Sequence, residues 1–156
     1  MDKIFKKMKD IIIIGDGLGH RTFVANAFRL DVIGTDISTY AVNHCIQNIK
    51  DKYFIDDIVN TTLKEKAKLV VAYDVLEHIK YEDLDKVIQN LIRTTSKNIL
   101  VSVPVLGDPN IEADPTHIIK EDRDWWVKQF TEKKLTEVEV PEHFLFKEQL
   151  LIFKKL

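Results

Sequence analysis

Residues 11–19 read IIIIGDGLG, an unbroken β-branched run stopped by a glycine turn. Four consecutive isoleucines without polar alternation describe a strand buried on both faces, and such strands belong to parallel sheets. Residues 20–30 follow with Phe23, Val24, Ala27 and Phe28 at helical spacing, which predicts a helix with one buried stripe. The glycines let the turn between strand and helix tighten and leave its backbone open to a ligand. The helix N-terminus behind the turn favours a carboxylate or phosphate.

The alternation continues outward from this unit. Residues 32–34 resume a strand ending in Thr35-Asp36, and Ser38 or Thr39 caps a helix with apolar Ala41, Val42, Cys45, Ile46 and Ile49. Residues 53–55 and 69–73 read as the third and fourth strands, with a short helix or irregular crossover at 60–66. Residues 83–94 form an amphipathic helix with Leu84, Val87, Ile88, Leu91 and Ile92 inward. A fifth strand, 99–103, stops at Pro104. A helix near 122–130 precedes two alternating segments, 135–140 and 149–154, that pair antiparallel. The pattern predicts an α/β fold: a single doubly wound, mostly parallel seven-stranded sheet with a C-terminal antiparallel strand pair, one domain over 1–156.

Composition narrows the function classes. Hydrophobic residues at 45% and charged residues at 31% describe a globular domain, and no apolar run is long enough to span a bilayer. Residues 1–10 are charged throughout and run straight into the isoleucine strand, unlike a secretory signal, so a cytoplasmic address is expected. A net charge of -2 offers no general attraction to duplex DNA. The single cysteine, Cys45, excludes an internal disulfide and a thiolate-rich metal site. None of the five histidines forms an HxxH or HxH arrangement, so the sequence picks out no metal ligands and a structural zinc site is not expected; a metal held by Asp and His brought together by folding stays open.

Two further strand tips carry acids. Asp36 ends the second strand beside the glycine loop, where a carboxylate can accept hydrogen bonds from both hydroxyls of a ribose; the plainer alternative is a turn or cap ahead of the Ser38 helix. Asp56 and Asp57 follow the third strand, where one can accept from an adenine amino group while Ile37 and Ile58 cover the ring faces. An ordinary acidic turn is the alternative. The fourth strand runs into Tyr73-Asp74-Val75-Leu76-Glu77-His78-Ile79, which places several polar groups where the reactive end of a cofactor would lie.

Taken together, GDGLG, Asp36-Ile37-Ser38, Asp57-Ile58, the DVLEHI stretch at 74–79, Pro104 and the DPTHI stretch at 114–118 resemble a class I S-adenosylmethionine-dependent methyltransferase, over about residues 10–155. The resemblance implies the Rossmann-like methyltransferase fold and S-adenosylmethionine as cofactor. By it, Gly15, Gly17 and Gly19 line the methionine part, Asp36 holds the ribose and Asp57 the adenine amino group. Tyr73 or Asp74 lies near the methionine and sulfonium. Many relatives carry an acid two residues before the first glycine; Ile13 stands there, and Asp16 is the candidate substitute. The family's first helix is missing or reduced to residues 1–9, so cover for the cleft is expected from elsewhere, such as a partner subunit in a homodimer.

Methyl transfer asks the protein to align acceptor, methyl carbon and sulfur, to exclude water and to take up a proton. His117 is the first candidate base and His78 the second, with Glu77 read as surface or scaffold. His20 adjoins the glycine loop, and His44 belongs to surface or core. Of Trp125 and Trp126, one is expected in the core and the other on an acceptor wall or subunit contact. The fourth strand lacks the NPPY or DPPY signature of nucleic-acid amino methylation. The expected acceptor is an O or N atom of a small molecule, a carbohydrate or a protein. Two alternatives are a non-catalytic binding or regulatory protein on the same fold and an NAD-dependent oxidoreductase.

Overall fold

The isoleucine run becomes the third strand of a seven-stranded sheet ordered β3-β2-β1-β4-β5-β7-β6. The strands are β1 (Lys9–Ile14), β2 (Val32–Asp36), β3 (Tyr53–Ile55), β4 (Ala67–Tyr73), β5 (Thr95–Ser102), β6 (Leu135–Val138) and β7 (Leu150–Lys155). The computed structural model describes residues 8–144 and 146–156. Most of the segment expected to replace the family's first helix, residues 1–7, lies outside them. The first five strands pair in parallel, and β7 runs antiparallel between β5 and β6. Strand order reverses between β1 and β4, the position at which open α/β sheets form a crevice at their carboxyl ends.

The helices are α1 (His20–Ala27), α2 (Thr39–Asn43), α3 (Tyr81–Thr94), α4 (Asn110–Ala113) and α5 (Arg123–Thr131). Side chains alternate across the sheet as the pleat requires. Ile12, Ile14, Val70, Ala72, Ile99 and Val101 enter the main core with Leu84, Val87, Ile88 and Leu91 of α3 and Trp126 and Phe130 of α5. Trp126 is thus the core tryptophan. Trp125 is partly buried and meets Tyr81 edge-on. The opposite face is thinner: Ile13, Val32 and Val71 pack with Ala25, while Ile11, Leu69, Tyr73 and Leu100 remain partly exposed.

Two local expectations are overturned. The stripe expected on α1 points outward, Phe28 being 78% exposed and Val24 52%, while Thr22 and Ala25 face the sheet. The cause is close packing on a glycine. A Cβ at Gly34 would lie 2.1 Å from Thr22 Oγ1 and 2.5 Å from Tyr53 Cδ2, so Thr22 lies directly over the bare backbone of β2. The expected second helix stops at Asn43 and gives way to a 3₁₀ turn at Gln47–Lys52. There Ile46 N donates to Leu18 O at 3.2 Å, and Ile49 is fully buried against Gly19. These tertiary contacts override weak helix formers in the run Val42-Asn43-His44-Cys45. Ser38 does cap α2, accepting from Ala41 N at 3.2 Å, and residues 60–66 are the irregular crossover.

Candidate active site

A cleft of about 320 Å³ opens at the reversal of strand order, lined by Ile14, Gly15, Asp36, Ile37, Asp56, Asp57, Ile58, Asp74, Val75, His78 and Ile79. Every one of these residues follows a strand tip or stands on it. Parallel pairing holds the ends of β1, β2, β3 and β4 at one edge, so residues scattered over the first half of the chain converge there. Among the residues singled out from sequence, Gly15, Asp36, Ile37, Asp57, Ile58, Asp74 and His78 line this cleft.

Asp36 organises the glycine loop. Its Oδ2 accepts from Gly17 N at 2.8 Å and its Oδ1 from Ser38 N at 2.8 Å. The turn alternative is thus present, and each carboxylate oxygen keeps a second lone pair. Gly17 is further held by Tyr53 Oη, which donates to its carbonyl at 2.8 Å, and a Cβ there would meet nothing within 4 Å. Gly15 is different: a Cβ would lie 2.4 Å from Val75 Cγ2, so this glycine lets the β4 turn pack beneath the loop. Gly19 is the left-handed N-cap of α1, at φ 85°, and lies against Ile49, outside the residues that line the cleft.

Asp16 turns away from the cleft. It is 4% exposed, and its Oδ2 and Oδ1 accept from Thr22 N at 2.8 Å and Arg21 N at 3.2 Å. Both oxygens are therefore engaged at the N-terminus of α1, where unpaired amides and the helix dipole favour a negative charge. Ile13 is buried among Ala25, Val32 and Val71, an apolar setting with no need of an acid. Tyr73 also lies apart from the cleft lining, with the Arg21 guanidinium 4.1 Å over its ring. Asp57 accepts from Val59 N at 2.9 Å and from Asn60 Nδ2 at 2.8 Å, whereas Asp56 keeps a buried Oδ2 with no partner. Asp74 occupies the left-handed region at φ 54°, uncommon for a residue with a side chain, and is held there by Ser102, whose Oγ donates to its Oδ1 at 2.9 Å.

A second cavity of about 230 Å³ adjoins the first, lined by Asp74, Glu77, His78, Pro104, Asp114, His117 and Gln149. Asp74 and His78 line both. His117 reaches this cavity because its loop is tied to the β4 turn: Glu77 O accepts from Ile118 N at 2.7 Å and Ile119 N at 3.0 Å. The rings of His78 and His117 stand edge to face, 4.9 Å between centroids.

Glu77, read from sequence as surface or scaffold, is 1% exposed, and both carboxylate oxygens are buried without a hydrogen-bond partner. Burial pushes its carboxyl up to about 8; the charges of Asp74 and Asp114 add to this, and its own backbone offsets part of it. Asp114, which is half-buried, is held below the usual carboxylate range by the hydroxyl and amide of Thr116. His78 lies on the 3₁₀ turn Leu76–His78, ahead of α3. His44 is exposed and stacks on Tyr40 at 4.1 Å, and His20 is also exposed. No sequence spacing marks Glu77 as buried, since a 3₁₀ turn has no amphipathic period to read.

A parallel sheet with a glycine loop, an acid at the second strand tip and a crevice at the point of reversal defines a nucleotide-cofactor-binding domain. Residues 13–101 match the family described as methyltransferase domain, and the chain belongs to it. S-adenosylmethionine is the cofactor that goes with this family and fold. Among solved structures, the chain resembles a SAM-dependent methyltransferase from Archaeoglobus fulgidus at 19% identity and TM-score 0.73, over 97% of this chain and 88% of that one. It resembles the N-methyltransferase NodS from Bradyrhizobium japonicum WM9, in complex with S-adenosylhomocysteine, at 18% identity and TM-score 0.71, over 94% and 77%. A third likeness is magnesium protoporphyrin IX methyltransferase from Synechocystis PCC 6803 with bound SAM, at 16% identity and TM-score 0.70, over 94% and 69%. At these identities the likeness is one of fold. No curated protein matches the sequence.

Proposed function

We propose that this chain binds S-adenosylmethionine in the 320 Å³ cleft and transfers its methyl group to an O- or N-acceptor held in the adjoining 230 Å³ cavity. The observation that carries the reading is the common wall: Asp74 and His78 border both spaces. The residues present fit the cofactor. Asp36 has lone pairs left for ribose hydroxyls, Ile37 and Ile58 supply apolar faces for adenine, and Asp57 or its neighbour Asp56 takes the amino group. The bound sulfonium supplies an activated methyl. The chain supplies alignment, a shielded cavity and a proton acceptor.

His117 is the base of first choice and His78 the second. Each has its Nδ1 next to a main-chain carbonyl, Ile111 O for His117 and Thr116 O for His78, both at 3.2 Å. In the neutral ring this leaves Nε2 as the proton acceptor. The acceptor's lone pair forms the new bond to carbon, the carbon–sulfur bond breaks with its electrons passing to sulfur, and the acceptor's proton passes to imidazole. A small molecule, carbohydrate or protein group suits the size of the cavity.

A homodimer belongs to the same reading. The thin sheet face beside α1, with exposed Phe28 and Val24, is supporting ground for a second copy as its cover. Sedimentation that gives a monomer mass across a wide concentration range, with and without cofactor product, removes that part. The enzyme reading is tested by calorimetry with S-adenosylhomocysteine, followed by transfer of labelled methyl to a panel of hydroxyl and amine acceptors. Uptake of product with transfer abolished in His117→Ala and His78→Ala supports it. Folded protein that binds neither donor nor product refutes it, and binding without transfer to any acceptor favours a non-catalytic, regulatory protein.

A further inference from the structure

Glu77, His78 and His117 each bring a metal-ligating atom to within 4.8 Å of the other two. Two of them are neighbours on the turn after β4, and the third arrives on the loop pinned to Glu77 O by Ile118 N and Ile119 N. Geometry alone would leave this as a cluster. The hydrogen bonds around it say more.

Neighbouring acceptors favour one tautomer for both neutral imidazoles. The Nδ1 of His117 faces Ile111 O, which can only accept, so Nδ1 carries the hydrogen. The Nδ1 of His78 faces Thr116 O and, at 3.0 Å, Thr116 Oγ1. That hydroxyl gives its own hydrogen to Asp114 Oδ1 at 2.6 Å, so toward His78 it too accepts. Each neutral ring therefore donates through Nδ1 and is left with an Nε2 lone pair, that of His117 standing 3.8 Å from Asp114 Oδ2, and a ring that donates through one nitrogen holds a metal through the other. Glu77 completes the set. It is a 1% exposed carboxylate with both oxygens buried and unpartnered, a costly condition that a cation relieves.

We infer that Glu77, His78 and His117 form a mononuclear site for a first-row divalent cation of the zinc type, with its open positions toward the cavity they line with Asp74 and Asp114. Two neutral nitrogens and one carboxylate suit such an ion better than magnesium, which prefers oxygen ligands. The absence of HxxH spacing concealed the set, because His117 joins it only through the folded loop. The role of the site rests on the methyltransferase reading. A cation held there would lower the pKa of an acceptor hydroxyl bound at an open position; with that proton passed to water, the oxygen would form its bond to the methyl carbon as the carbon–sulfur bond breaks with its electrons passing to sulfur. In the loaded protein the two histidines then act as ligands, and the cation takes over the activation that a free imidazole would otherwise supply.

The test is calorimetric titration of the chelator-treated protein with zinc and with cobalt, the latter also read by visible absorption, with S-adenosylhomocysteine affinity measured in parallel. The expected result is one ion per chain, cobalt bands of a low-coordinate nitrogen–oxygen site, and at least tenfold weaker binding in His117→Ala and Glu77→Gln but not in the surface variant His44→Ala. Glu77→Gln keeps the side chain's shape, so the test stands even where a histidine variant fails to fold. Absence of saturable binding, or equal affinity in wild type and Glu77→Gln, overturns the site. Metal binding without uptake of cofactor product upholds the site and removes its role in methyl transfer; uptake of product without metal binding does the reverse.

Discussion

Replacing Glu77 with glutamine exposes the cost of a buried carboxyl at the β4 turn. Its folded value of about 8 compares with an ordinary 4.5, with burial as the largest cause. Between those values the folded, metal-free protein binds a proton that the unfolded chain has released. The stability associated with the protonated form is complete below about pH 4.5 and is lost as pH rises through about 8. For one proton the slope cannot exceed ~1.4 kcal/mol per pH unit, so the whole window has a ceiling of roughly 4–5 kcal/mol. Water entering the adjoining cavity lowers this, and a loss of roughly 2–4 kcal/mol is expected. Glutamine stays neutral throughout. Urea unfolding of chelator-treated wild type and Glu77→Gln should give curves that diverge between about pH 5 and about pH 8, with the variant more stable at the upper end. Parallel curves would show that Glu77 ionises normally in the fold and that its burial is relieved in some way the geometry does not contain.

Three further substitutions test separate parts of the cleft. Asp36→Ala removes acceptors for Gly17 N and Ser38 N and should weaken S-adenosylhomocysteine binding by about 1–3 kcal/mol; unchanged calorimetric affinity in folded protein contradicts the ribose role. Asp16→Ala frees the amides of Arg21 and Thr22 and should cost about 1–2 kcal/mol in urea unfolding, a loss absent if the carboxylate were merely near the helix. Gly34→Ala drives a Cβ into Thr22 and Tyr53 and should destabilise by about 1–3 kcal/mol. Adding Thr22→Ala should recover only part of that loss, since Tyr53 remains in the way, and full recovery would refute the packing.

The elements most legible in the sequence are those whose signals are local. IIIIG announces a buried strand and its end, and the spacing of Leu84, Val87, Ile88 and Leu91 announces the face of α3. Asp36 was legible as a strand-tip acid, and its contact with the glycine loop follows from the adjacency of β1 and β2. The reading of α1 failed for a reason of packing. Apolar spacing pointed Phe23 and Phe28 inward, yet the space over Gly34 admits Thr22, and the Asp16 carboxylate holds the first turn in that rotation. Glu77 escaped because a charged residue beside a histidine reads as surface unless the fold is known to close over it.

The order of strands and helices, the parallel core and the place of the glycine turn were determined by sequence alone, because side-chain period and turn chemistry act over a few residues. The rotation of α1, the inward turn of Asp16, the burial of Glu77 and the meeting of His78 with His117 were decided by tertiary structure. Each depends on a contact between distant segments: Thr22 with Gly34, or Glu77 O with the amides of Ile118 and Ile119. Local pattern constrains which backbone forms, while only closure of the chain settles which side chains share a cavity and which lone pairs are left unspent.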